Sequence, residues 1–526
     1  MPETTSLDVK VVSTTTVYPS SHQTSEPKTT PLSIIDSTVS YYARCAAIWY
    51  YDPPTNPQTT LTSTHLQAAL SETLNAYPQW CGRLHYASYN PNIKGHTNRY
   101  RRVQVTFNAP TDIGVPFVTG TSSRNLSDFL PETEARKDSI KAWDASQMPS
   151  NELYPATPLS LSGEATPEDA PNVTIQLTTF ACGSTAVAIN ITHSLADAQT
   201  LSQFAKDYAS ISRALMNGEP LPRLSPIFDP QLLDAFAAGD IDAETPDLEL
   251  QEQARKLPCH RYDRNAPKLP KDWDTVAHLP LSPSTPMPWD EWDFKAAVAH
   301  RVLHFAPKEI EHMYALASSS TTKISKLDAL LAHIWAQINK ARELPPNTVT
   351  YLDMTLGLRA RVNPPLPASF LGSPILSAAI STATPASPSI APSLSGIATQ
   401  IRSTVQSFTH SAVAAMLHDS AFEVSPQRLW RCFLGSKHVL LTTWLHLGLQ
   451  EVDFVGAGRG GGKLRHVAPV MPACDGLVDI LETVSEESGG TAHWSRNGVD
   501  VSVYLEDGAM GRLLKNKGLW GVGSES

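Results

Sequence analysis

Ile191-Thr192-His193-Ser194-Leu195-Ala196-Asp197 closes an apolar, β-branched run with a histidine and an aspartate four residues apart. Strand ends are where a rigid scaffold presents reactive groups. A neutral imidazole, with an ordinary pKa of about 6.5, can take the proton of a hydroxyl or amine while that atom attacks a thioester. His193 is therefore the candidate general base, and such a mechanism needs no nucleophilic side chain. A structural histidine at a strand-to-helix turn would produce the same letters, so the surroundings must decide.

Upstream, Val173 to Phe180 and Thr185 to Ile191 flank Ala181-Cys182-Gly183-Ser184, which predicts a hairpin. Downstream, Leu201, Phe204, Ala205 and Tyr208 fall on one helical face. Thr64-His65-Leu66-Gln67 has capping-box spacing ahead of a helix carrying Leu66, Ala69, Leu70 and Leu74. Ser325 with Asp328 opens another, striped with Leu327, Leu330, Leu331, Ile334 and Ile338, and Val499 to Leu505 alternates as a strand. The expected fold class is mixed α/β.

At 526 residues the chain exceeds what one core usually organises, so two domains are expected. Proline-rich stretches mark the connections: 144–172 is a predicted surface loop, 218–300 holds a linker with a short helix near Gln231 to Phe236, and 381–393 is a third such stretch. The predicted division is an N-terminal domain over 1–225, a crossover over 226–300 and a C-terminal domain over 301–526. With 41 basic against 51 acidic residues, a nucleic-acid partner is excluded by sign. Six cysteines stand singly, without the paired spacing of a metal site, so no metal is expected. No basic leader with an apolar core, and no apolar run of membrane length, is found; a cytoplasmic monomer is expected.

Several further segments occur in a telling order. Leu66 to Leu84 ends in Tyr77-Pro78 and Gly82-Arg83-Leu84, Ser325 to Trp335 reads SKLDALLAHIW, Leu358 to Gly372 reads LRARVNPPLPASFLG, and Thr442-Thr443-Trp444 precedes Asp453-Phe454. Together with HSLAD these resemble the BAHD (H-x-x-x-D) acyltransferase family over most of the chain. Two departures, Ala198 where the family has glycine and Val455-Gly456-Ala457 after Asp453-Phe454, resemble a divergent branch, and the proline-rich insertions resemble the fungal members acting on secondary metabolites.

The resemblance implies two chloramphenicol-acetyltransferase-like domains with a channel between them. It implies acyl-CoA as cosubstrate, no bound cofactor, and transfer to a hydroxyl or amine of a small molecule. It further implies that Asp197 pairs with Arg359 or Arg361 and is architectural, and that Thr442 and Trp444 face the acyl carbon, where a hydroxyl or indole N–H would stabilise the oxyanion. Asp453 is read as structural. Lys323, Ser325 and Lys326 match the helix start that approaches the adenosine end of CoA, and Arg459 and Lys463 lie in a basic, glycine-rich loop, Gly458 to His466, suited to phosphates.

Three rival classes share parts of this pattern. Gly456-Ala457-Gly458-Arg459-Gly460-Gly461 fits a dinucleotide-binding G-x-G-x-x-G, with Val452 to Val455 as its strand, yet a proline-bearing stretch without helical period follows. Condensation domains share the implied architecture but usually carry a second histidine where this chain has Thr192; a pericyclic or non-catalytic relative is the third class. A serine hydrolase is excluded by the lack of G-x-S-x-G.

Overall fold

The computed structural model describes residues 6–21, 26–266, 268–319, 322–385, 393–484 and 493–520. Two large sheets dominate it. The first has six strands in the order Val9–Val17, Val115–Ser122, Val173–Thr179, Thr185–Ile191, Cys45–Tyr51 and Leu464–Pro469. The second has seven: Ile375–Ala383, Val349–Gly357, His438–Thr443, Leu477–Glu482, Val499–Glu506, Val298–Phe305 and Ala142–Asp144.

Alternation along the strands sorts the side chains. Trp49, Tyr51, Val187, Ile189 and Ile191 point into a core shared with helices Ser63–Leu74 and Ala198–Asn217. Their neighbours Ile48, Tyr50, Ala186 and Ala188 point the other way, into a second cluster that includes Val302 and Trp143 of the seven-stranded sheet. A separate core holds the opposite face of that sheet, where Leu352, Val439, Val478 and Val501 pack on helix Lys326–Arg342. The two sheets thus meet along one seam, each backed by its own helices.

Each sheet borrows a strand from the other half of the chain. Ala142–Asp144 pairs antiparallel with Val298–Phe305, and Leu464–Pro469 pairs antiparallel with Cys45–Tyr51, Val467 lying opposite Trp49. The segment around Asp263 is pinned to the rest of the chain: the buried Arg428 guanidinium reaches Asp263 and Glu423, each at 2.6 Å.

The hairpin forms as predicted, Val173–Thr179 against Thr185–Ile191. Ser325 and Asp328 do form a capping box at the helix Lys326–Arg342. The earlier helix starts differently: Thr62, in extended backbone, caps Ser63–Leu74 by accepting from the His65 amide, and Thr64 already lies inside the first turn. The segment 452–455 is not a strand, and the G-x-G-x-x-G run forms a short turn before Leu464–Pro469 rather than opening a helix. The predicted basic segment therefore ends early, because Arg465 and His466 are buried strand residues, Arg465 paired with Asp52 and Glu132. Residues 386–392 of the third proline-rich stretch lie outside the described residues. All six cysteines are free, with Cys182 exposed. Among the described residues no helix is long and apolar enough to cross a membrane.

Candidate active site

The site is assembled where the hairpin strand ends. After Ile191 the chain leaves the sheet, turns at His193 and enters helix Ala198–Asn217, whose N-cap is Asp197. One Asp197 carboxylate oxygen accepts from the Thr200 amide at 2.9 Å, and both oxygens are gripped by Arg359, at 2.5 and 3.1 Å. The Arg359 guanidinium also donates to Thr200 Oγ1 at 2.9 Å and to the Phe370 carbonyl at 3.0 and 3.2 Å. Arg361 points elsewhere, donating to the Val405 carbonyl at 3.1 Å. Of the two arginines left open by the sequence, the pair is with Arg359.

The Gly372-Ser373 backbone lies against this turn. The Asp197 amide and Thr200 hydroxyl donate to the Gly372 carbonyl at 3.1 and 2.8 Å. Gly372 has φ +134°, and a Cβ there would sit 3.0 Å from an Asp36 oxygen, so both conformation and space call for glycine. Ser373 Oγ lies 2.9 Å from His193 Nδ1. Tyr42 stands edge-on to the His193 ring, with centroids 5.6 Å apart, and also contacts Trp430. Burial pushes the His193 pKa down, opposed by its own carbonyl and by Asp197, and so favours the neutral imidazole that a base requires.

Thr442 and Trp444 sit at the end of strand His438–Thr443 on a hydrogen-bonded chain. The Trp444 indole donates to Thr442 Oγ1 at 3.2 Å, and that hydroxyl donates to Asp479 Oδ1 at 2.7 Å. Asp479 is buried, its Oδ2 has no hydrogen-bond partner, and burial lifts its pKa to about 7 against the Thr442 bond. Both predicted oxyanion donors are thus engaged within the protein. Trp444 packs in the same buried cluster as Leu195 and Ala196 beside His193.

Asp453 holds its own loop, one carboxylate oxygen accepting from the Val455 and Gly456 amides at 3.0 and 2.8 Å. The predicted CoA-facing groups divide. The Ser325 hydroxyl is committed to Asp328 and Arg402, both at 2.8 Å, and Lys326 pairs with Glu311. Both thus meet protein partners, and Lys326 stays partly exposed in its pair. Lys323 and Lys463 are exposed, and the exposed Arg459 lies 3.5 Å from Glu219.

The sequence reading missed Ser373, Thr200, Asp36 and Asp479. Ser373 directly follows the last glycine of the R-x-R segment, and Ser33-Ile34-Ile35-Asp36 has capping-box spacing, so two of the four left a local trace. Among the described residues one cluster has metal-ligand character, His260, Asp353 and His438. Its atoms already satisfy one another, His260 Nε2 and His438 Nδ1 lying 2.9 and 2.8 Å from the two Asp353 oxygens. A metal at Nδ1 would also leave the buried, unpartnered His438 Nε2 as an unmatched N–H.

A neutral-leaning histidine at a strand end, held by a buried Asp–Arg pair, fits a general-base enzyme. Comparison with known proteins makes this specific. The model of the Transferase family matches residues 7–515, and the chain belongs to that family, the BAHD acyltransferases, which are acyl-CoA-dependent. It is similar to acyltransferase AFT15-1 of Alternaria alternata, 26% identical over 98% of this chain and 97% of the relative. Acyltransferase abl6 of Leptosphaeria maculans is 25% identical over 98% and 99% of the two chains. The fold is shared with vinorine synthase (TM-score 0.58, 18% identity, 98% of each chain). It is shared as well with F. graminearum TRI101, solved with coenzyme A and deoxynivalenol (TM-score 0.63, 15% identity, 94% of this chain and 98% of that one). The chain shares the mixed α/β, chloramphenicol-acetyltransferase-like fold of these neighbours.

Proposed function

We propose that this enzyme transfers an acyl group from acyl-CoA to a hydroxyl of a small secondary metabolite, with His193 as the general base. The observation that carries the proposal is the placement of His193: a half-buried, neutral-leaning imidazole at a turn locked by the buried Asp197–Arg359 pair. As the acceptor oxygen attacks the thioester carbonyl, its proton passes to His193 Nε2. The tetrahedral oxyanion collapses, the C–S bond breaks, and the departing thiolate takes the proton back from the imidazolium to leave as CoA thiol. The Trp444 indole is the donor proposed for the oxyanion, since its 3.2 Å bond to Thr442 is the longer one in its chain. Thr442, through Asp479, fixes that indole's neighbourhood.

Asp197 and Arg359 act as architecture, and Asp453 shapes its loop. Lys323, Arg459 and Lys463 are the cations proposed for CoA phosphates, being exposed. Residues 1–225 and 301–526 are proposed as the two domains, 226–300 as their crossover, and a cytoplasmic monomer as the working form. The T-2 and deoxynivalenol complexes of TRI101 support a small-molecule acceptor.

The test begins with a panel of acyl-CoAs, the productive donor raising Tm by mass action. With that donor and an acceptor, free thiol should appear in step with ester. A panel in which no acyl-CoA raises Tm or releases thiol would overturn the reading.

A further inference from the structure

We infer that Ser373 is a positioning residue for the base: its hydroxyl, carried on a backbone that Asp36 anchors, receives the Nδ1–H of His193 and keeps the Nε2 lone pair turned to the acceptor. The inference rests on His193 being the base and concerns what makes it one. A neutral imidazole has two tautomers, and only the one protonated at Nδ1 can accept a proton at Nε2. Which tautomer persists is set by the partner of the other nitrogen. Here His193 Nδ1 lies 2.9 Å from Ser373 Oγ, an oxygen able to accept the Nδ1–H. With the Nδ1 proton given to that oxygen, Nε2 keeps its lone pair for the acceptor.

A hydroxyl selects a tautomer only if it cannot swing away, and Ser373 is fully buried and held from two sides. On one side its amide donates to Asp36 Oδ1 at 2.6 Å, a contact between residues 337 apart in sequence. Asp36 is itself fixed in the short helix Ile34–Thr38, its Oδ2 accepting from the Ser33 hydroxyl at 2.7 Å and the Ser33 amide at 3.2 Å. On the other side the preceding Gly372 carbonyl is held by the Asp197 amide and Thr200 hydroxyl. The segment 372–373 is thus clamped between two aspartates, one that locks the turn carrying His193 and one that locks the serine facing it. Asp36 donates nothing to the reaction; it keeps the distance between Ser373 and the ring.

The experiment uses the full-length enzyme with its productive acyl-CoA and acceptor. Histidine is labelled with ¹⁵N, and the His193 resonances are assigned by their loss in His193→Ala. In the wild type the shifts should report Nδ1–H. In Ser373→Ala the tautomer should become mixed, kcat should fall roughly tenfold, the worth of one hydrogen bond, and KM for acyl-CoA should stay unchanged. Ser373→Cys, which keeps the volume but accepts weakly, should do the same and serves if the alanine variant does not fold. Asp36→Asn should shift the tautomer in the same direction by a smaller amount. Serine variants that fold, keep the wild-type tautomer and turn over at the wild-type rate would overturn the inference. An Asp36→Asn enzyme with lowered Tm but unaltered tautomer and kcat would overturn the anchoring role. If His193→Ala itself turns over normally, the base assignment fails instead, which separates the two conclusions.

Discussion

Replacing Asp197 by alanine separates architecture from chemistry within the H-x-x-x-D unit. Two losses follow from the structure. The helix Ala198–Asn217 loses its N-cap bond to the Thr200 amide, typically about 1 kcal/mol. Arg359, with only 8% of its side chain exposed, loses its counter-ion, and stripping one partner from a buried pair costs about 3 to 5 kcal/mol. The lower end applies, because the guanidinium keeps the Thr200 hydroxyl and the Phe370 carbonyl. A total of about 4 kcal/mol is a large share of the 5 to 15 kcal/mol that holds a typical domain. Urea unfolding and calorimetry should show it as a large drop in midpoint, with activity falling in parallel. Asp197→Asn, which keeps a cap acceptor, should recover part of the loss. Adding Arg359→Met to Asp197→Ala should also recover stability, because the orphaned charge is then gone. The reasoning would be refuted by an Asp197→Ala enzyme as stable as the wild type yet inactive, since Asp197 would then have to act directly on the imidazole.

Other expectations are independent of that one. His193→Ala should cut turnover by about 10² to 10⁴ while Tm and acyl-CoA binding persist, as read by steady-state kinetics and thermal shift. No acyl-enzyme should form, because the base works on the acceptor itself; intact-protein mass after acyl-CoA alone should be unchanged, and kinetics should show a ternary complex rather than ping-pong behaviour. Thiol release should survive exhaustive chelation, and rescue by a divalent ion would bring the His260–Asp353–His438 cluster back as a metal centre. Asp479→Asn tests pH linkage. Burial raises the Asp479 pKa to about 7, so the folded protein holds that proton more tightly than the unfolded chain, and its contribution to stability is lost as pH rises from about 4 through 7. The asparagine variant lacks this loss, so its stability advantage should grow over that range, at about 1.4 kcal/mol per pH unit at most, and level off above 7. An advantage independent of pH would mean that Asp479 is ionised throughout.

What the sequence determined by itself was local or strongly patterned. The hairpin ending at His193, the amphipathic helices beside it and the Ser325–Asp328 cap follow from periodicity and turn chemistry acting over a few residues, and an ordered set of short motifs was enough to place the family. Asp197 was legible as architecture, but not as a helix cap, although an aspartate ahead of a helical pattern is a cap signal. Only the tertiary structure chose Arg359 over Arg361, because two arginines two positions apart differ only in which partner the packed fold brings within reach. It alone lent Leu464–Pro469 to the first sheet, spending the charges of Arg465 on Asp52 and Glu132 inside the protein. It alone tied Trp444 to Thr442 and Asp479, and Ser373 to His193 and Asp36. Apart from the Trp444–Thr442 bond, these contacts join residues tens to hundreds of positions apart. A hydrogen bond between them leaves no period and no spacing in the chain, and exists only once burial has removed water as the competing partner.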